Sequence, residues 1–110
     1  MAYYKILRAS EWVDFAAKGR FAGSPVDLQD GYVHLSTAEQ AQETAARHFA
    51  GEEGLVLLTL DKTRLDPMLR WEPSRGGALF PHLYRELAIE DVVFYQDLPL
   101  KGGRHLFPPL

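Results

Sequence analysis

Three short stretches carry the side chains best suited to chemistry: "YVHLST" (32–37), "RWE" (70–72) and "FPHLY" (80–84). In an extended chain alternate side chains share a face. Val33 and Leu35 then point one way, into a core, while Tyr32, His34 and Ser36 point the other. His34 stands just ahead of a predicted helix, whose start offers unpaired N–H groups and a positive dipole end. Ser36, Thr37 and Ala38 at that start suit a phosphate or carboxylate, and His34 suits a ribose hydroxyl or phosphate oxygen. The plainer reading makes His34 a strand histidine bonded to a backbone carbonyl.

In "RWE", Arg70 and Glu72 share a face and Trp71 takes the opposite one. A glutamate in a cleft can orient a ribose hydroxyl or stabilise positive charge developing at a sugar carbon. Trp71 is then a binding aromatic or, more plainly, a core residue flanked by surface charges. Phe80, His82 and Tyr84 likewise share one side. They offer a ring to stack on a base or nicotinamide and an imidazole as donor or base. The alternative is a loop pinned by its two aromatics, with His82 at the surface.

His48 falls on the apolar stripe of its helix and reads as structural, and His105 carries no assignment. The four histidines are not at local metal-ligand spacing, so no metal site is expected. No glycine-rich dinucleotide fingerprint, P-loop, zinc-protease helix motif or serine nucleophile elbow is present.

These groups need a scaffold. "YYKIL" (3–7) reads as a first strand, and Ser10 as N-cap of a helix over 11–18 closed by Gly19. Trp12, Phe15 and Ala16 share its inner face. Residues 19–31, rich in Gly, Pro and Asp, read as a long surface loop of the kind that covers binding sites. "YVHL" is a second strand feeding a helix over 38–49, with capping boxes available from Thr37 to Gln40 or from Ser36 to Glu39. Ala41, Thr44, Ala45, His48 and Phe49 form its apolar stripe, and Gly51 stops it.

"LVLLTL" (55–60) is apolar throughout and predicts a central strand covered on both faces. Residues 69–72 form a shorter strand. Pro81 makes 79–84 extended or irregular, since it lacks a ladder donor. Residues 91–98 form a late strand, and the tail from Pro99 reads as coil. Helices early and strands clustered late predict an α+β fold with two or three helices.

The chain of 110 residues fits one domain, 1–110, with 46% hydrophobic and 25% charged residues. A net charge of −3 and a pI near 5.7 give no attraction to nucleic acid or an anionic membrane. The local excess of Lys62, Arg64, Arg70, Arg75 and Arg85 over Asp66, Glu72 and Glu86 reads as a solvated face. The absence of cysteine removes disulfides and thiolate chemistry. Without a signal-like N-terminus or a membrane-length apolar run, a soluble cytoplasmic protein is expected. The sequence leaves oligomeric state open.

With these segments in hand, the chain resembles the domain-of-unknown-function family numbered 952. The resemblance rests on "YKIL", "SEW", "DGYVHLSTAEQ", "GLVLLTL", "RWE" and "FPHLYRELAIEDV", which occur in the family's order over nearly the whole length. It implies an ADP-ribosyltransferase-like domain, a compact fold with a split, curved, mixed or antiparallel sheet around an NAD-binding cleft. In that group an early-strand His or Arg contacts the NAD ribose, an aromatic packs on the nicotinamide and an acidic residue assists transfer. By this resemblance His34 matches the early-strand position, with Ser36 its following hydroxyl. Tyr84 and Glu72 take the aromatic and acidic parts by residue type. NAD is then a substrate rather than a resident cofactor. The chain departs from a transferase in lacking a late cleft-strand glutamate, since Glu86 and Glu90 precede the last strand.

Two other readings compete with a small-molecule enzyme of ribosyl transfer or glycohydrolysis. One is a non-catalytic module whose "FPHLY" loop and "FPPL" tail meet a protein. The other is a metal-dependent hydrolase built on His34, His82 and Glu72.

Overall fold

The structure is a computed structural model that describes residues 2–110, the Arg75 side chain excepted. Strand β1 (Ala2–Arg8) runs straight into α1 (Ala9–Lys18). The helix starts two residues earlier than Ser10 would dictate, because the Glu11 carboxylate accepts the Arg8 N–H at 2.9 Å. Gly19, at φ 78°, closes it by donating to the Phe15 carbonyl, a left-handed turn that favours glycine. Phe15 is fully buried and Trp12 meets it edge-on, but Ala16 is exposed.

The segment expected to be loop holds two elements, β2 (Arg20–Phe21) and α2 (Pro25–Asp30). Pro25 is pre-set for a first helical position, and the Asp27 carboxylate caps the start by accepting the Ser24 N–H at 2.8 Å. Strand β3 (Val33–His34) follows, then α3 (Ala41–His48). This helix begins later than expected: residues 38–40 form a turn, and the Gln40 side chain takes the Thr37 N–H at 3.1 Å. The anion-ready helix start predicted at Ser36–Ala38 is therefore not formed. Ala41 and Ala45 are buried as expected, whereas His48 is exposed.

Next come β4 (Leu55–Asp61), the short α4 (Lys62–Leu65), β5 (Leu69–Pro73) and β6 (Leu79–Leu83). The chain ends with β7 (Leu87–Ala88), β8 (Val92–Leu98) and a small hairpin of β9 (Leu100–Lys101) and β10 (Arg104–His105). That hairpin replaces part of the coil expected in the tail, and His105 ties it down through a 2.8 Å contact with the Glu52 carbonyl.

Two three-stranded antiparallel sheets result, β1-β4-β8 and β3-β6-β5, and β2 pairs with β7. One antiparallel bridge, Tyr4 to Ser36, joins the large sheets through reciprocal N–H···O bonds of 2.8 and 2.9 Å. As expected, β4 is central and covered on both faces. Val56, Leu58 and Leu60 pack with Phe15, Val33 and Leu83, while Leu55 and Leu57 pack with Ala41, Ala45 and Leu98. The Cα radius of gyration, 13.0 Å, is that of one compact unit, for which about 13 Å per 100 residues is usual. The fold is α+β.

Pro81 sits in the middle strand of its sheet, where a missing donor usually breaks pairing. Its carbonyl accepts the Leu35 N–H at 3.1 Å, so its ring nitrogen faces the same side, where β3 has already ended. The β5–β6 ladder on the other side is continuous from Leu69↔Leu83 to Pro73↔Leu79.

Candidate functional site

The pairing β3-β6-β5 places His34 opposite His82 and His82 opposite Arg70. Because side chains alternate along each strand, one sheet face carries Tyr32, His34, Phe80, His82, Tyr84, Arg70 and Glu72. Val33, Leu35 and Leu83 enter the core from the opposite face. The three stretches thus meet on one surface, brought together by the pairing of their strands.

His82 is 1% exposed. Its Nδ1 lies 2.8 Å from Glu72 Oε1, and that oxygen also accepts the Tyr84 hydroxyl at 2.7 Å. These two bonds, His82 first, hold the Glu72 carboxyl below the usual range, and the bond to Glu72 pushes the Tyr84 phenol up. A carboxylate only accepts, so His82 donates from Nδ1 to Glu72. Among the described residues no protein group hydrogen-bonds its buried Nε2. Tyr32 lies flat on the His82 ring, centroids 4.1 Å apart, and also approaches His34 and Tyr84.

His34 is gripped from both ring nitrogens. Nδ1 is 2.6 Å from Asp27 Oδ1, and Nε2 is 3.0 Å from Asp30 Oδ2. Asp27 is fully buried and accepts in addition from the His34 N–H at 3.0 Å, the Ser24 N–H at 2.8 Å and Lys5 Nζ at 3.0 Å. Burial alone would raise its pKa; the His34 hydrogen bond, the Lys5 charge and the two backbone donors overcome that and bring it to about 2. Asp27 is thus a fixed carboxylate that sets the orientation of His34, whereas Asp30, with a side chain 38% exposed, is the looser of the pair. The bond expected from His34 to a backbone carbonyl is replaced by two carboxylates. Gly23 makes room for the arrangement: at φ 137°, a Cβ there would lie 2.6 Å from the Asp27 Cβ.

Beyond the Tyr4–Ser36 bridge the two sheets separate, and the gap between β1, β3, β6, α2 and α3 is a cavity of about 540 Å³. Small-molecule sites usually span about 300–1,000 Å³. His34, Ser36 and His82 line it, together with Asp30, Lys5 and Phe80. Lys5 spends its ammonium on Asp27 and on the His34 carbonyl at 2.9 Å, and Arg8 is held by Glu52. Ser36 Oγ is 2.9 Å from Thr44 Oγ1.

Glu72 and Tyr84 do not line the cavity; Glu72 is bonded to His82, which does, and Tyr84 is bonded to Glu72. Trp71 and Thr37 are elsewhere, in a recess of about 290 Å³ with Tyr3 and Lys62. Trp71 is 46% exposed and touches Tyr3 edge-on, so it is neither the core residue expected nor a neighbour of His34. In "FPHLY" residues 80–83 are strand rather than loop and Tyr84 follows in a bend, and Phe80, His82 and Leu83 are buried. No group of three metal-ligating side chains occurs among the described residues. Nor is any helix among them long and apolar enough to cross a membrane.

Asp27 and Asp30 are the residues that sequence reasoning missed. The available signal was "SPVD", a serine followed three residues on by an acid, with proline between, which marks a helix start inside the supposed loop.

The family model described as "Protein of unknown function (DUF952)" matches residues 6–95. The chain belongs to this family. Three solved structures resemble it, all of protein CC0527 from Caulobacter crescentus. A crystal structure is 51% identical with a TM-score of 0.91, covering 96% of this chain and 94% of that one. A crystal structure of a double mutant gives 50% identity and the same TM-score and coverage. The solution structure gives 52% and 0.84, covering 94% of this chain and 90% of that one. No curated protein matches the chain. The match by the family model contains every side chain of the His34 and His82 clusters except Lys5.

Proposed function

We propose that the cavity binds a ribose-bearing nucleotide of the NAD or ADP-ribose class and serves ribosyl transfer or glycohydrolysis. The observation that carries this is the single wall formed by His34, Ser36 and His82 at the split between the sheets, with His34 fixed by buried Asp27. A split sheet around a cleft is also the arrangement implied by an ADP-ribosyltransferase-like fold.

In this reading the acidic role moves from Glu72 to Asp30. Glu72 serves as positioning residue for His82, since its Oε1 is already bonded twice. The carboxylate on the cavity wall is Asp30, and it is the group able to face positive charge developing at a ribosyl carbon. A ligand hydroxyl that reaches His34 Nε2 displaces Asp30 from its 3.0 Å contact, which leaves the carboxylate beside the ligand.

Isothermal titration with NAD and ADP-ribose, with His34→Ala beside wild type, tests the reading. Heat in wild type that vanishes in the variant supports it. No heat with either ligand, or equal binding by both proteins, overturns it.

A further inference from the structure

We infer that strand β8 is a pairing edge for a second copy of this chain. Two β8 strands meet antiparallel about a two-fold axis at Gln96 and join two β1-β4-β8 sheets into one of six strands. The inference is independent of the proposed nucleotide site, since no β8 residue lines the cavity.

The bridge from Tyr4 to Ser36 links the two large sheets, so β5 and β8 are their outermost strands. An open edge is a template for another strand, and proteins guard it with charge, proline or a bulge. In five residues β5 carries Arg70, Glu72 and Pro73. From Val92 to Gln96, β8 has neither charge nor proline, and Val93, Phe94 and Tyr95 are each more than half exposed. A bulge guards only its start, where the register against β4 slips at Val93.

Backbone direction leaves the rest of that edge open. Tyr4 exchanges both its bonds with Ser36, so its polar groups face away from β4 and those of Lys5 and Leu7 face toward it. Their partners Leu58 and Val56 are therefore spent on β1, while Leu57 and Thr59 turn to β8. Gln96 and Phe94 answer them, which leaves the N–H and C=O groups of Tyr95 and Asp97 pointing outward. Among the described residues, neither makes a backbone bond outside the β4 ladder.

The chemistry of this edge fits itself in one register. With the axis at Gln96, Tyr95 of each copy lies opposite Asp97 of the other, and four reciprocal bonds satisfy the outward groups of both. An axis at Asp97 would set carboxylate against carboxylate, and an axis at Tyr95 would set Asp97 against the bulged Val93. Phe94 and Tyr95 are each 56% exposed. A wholly covered aromatic buries about 150–250 Å², so these two rings leave about 400 Å² open over two copies. Val93 and the strand backbone add to that area. The interface belongs with weak, reversible ones, which bury less than about 1,200 Å².

Sedimentation equilibrium of the full chain from about 10 µM to 1 mM tests the pairing, with a reversible shift from monomer to dimer expected. Tyr95→Pro removes an outward N–H and no β4 bond, so it should keep the wild-type circular dichroism and weaken the dimer at least about tenfold. Gln96→Lys sets two ammonium groups face to face at the axis and should weaken it as much. Gln96→Cys reads the axis directly, because the chain has no other cysteine. Its Cα atoms would stand about 4.5 Å apart in a non-hydrogen-bonded pair, within disulfide reach. Oxidation should therefore cross-link that variant much faster than Phe94→Cys. A wild type monomeric throughout, a dimer that Tyr95→Pro and Gln96→Lys leave intact, or cross-linking no faster at residue 96 than at 94 overturns the inference.

Discussion

Asp27→Asn tests the base of the site most directly. The wild-type carboxylate is fully buried and holds Lys5, His34 and the start of α2 at once. An amide of the same shape leaves the Lys5 ammonium without a counter-charge and turns a donor toward other donors. Removing one partner from a buried ion pair costs about 3–5 kcal/mol, so the variant should lose that much at pH 7. The pH dependence gives a second, independent number. The folded-state pKa is about 2 against an ordinary 3.8. That difference, at about 1.36 kcal/mol per unit, is about 2.5 kcal/mol of stability.

The sign follows from the depressed value. The contribution is complete above the unfolded-state pKa and disappears as pH falls through it toward the folded one. By about pH 3, roughly 1 kcal/mol of it is gone. The variant lacks this titration, so urea denaturation of both proteins at pH 7 and pH 3 should show the gap narrowing by that amount. Asp66, Glu72 and Asp91, whose pKa values are also lowered, titrate in both proteins and cancel in the comparison. Equal stability at pH 7, or a gap that does not change with pH, would refute the description of Asp27 as an ionised, buried anchor.

Gly23→Ala should destabilise by about 1–3 kcal/mol, read as a lower melting temperature, because its Cβ would meet the Asp27 Cβ at 2.6 Å in a strained backbone region. His34 should also lose its fixed orientation in that variant, visible as broadened ring resonances. Leu57→Ala, on the central strand and fully buried, should cost about 2–5 kcal/mol in urea denaturation; a loss below 1 kcal/mol would contradict the two-sided core.

Much of the site was legible before any folding was known, because strand periodicity is a local property. The alternation in "YVHLS", "RWE" and "FPHLY" assigned His34, Glu72, His82 and Tyr84 to faces, and each stretch kept that assignment. The apolar run 55–60 likewise announced β4 as central, since only a strand covered on both sides needs no polar face. Pro81 left 79–84 open between extended and irregular, because local chemistry says that a donor is missing but not on which side; the missing side falls where β3 ends, and residues 79–83 are extended. Ser36–Ala38 misled: the capping residues were read correctly as a cap signal, but Gln40 used it to build a turn rather than the first turn of a helix.

What belongs to the sequence alone, then, is which side chains share a face and where the longer strands and the helices α1 and α3 run. What only the tertiary structure decided is which faces meet. Whether Glu72 served the cavity or a neighbour depended on β5 pairing with β6, which sent its carboxylate to His82. Asp27 became the anchor of His34 because α2 packs beside β3, across a contact that no periodicity encodes. Trp71 shares the core-facing side with Leu83, and it is exposed because β5 is the edge strand of its sheet. Alternation is dictated by the geometry of one chain segment, whereas partnership is dictated by long-range packing, where the burial of many side chains outweighs the preference of any one.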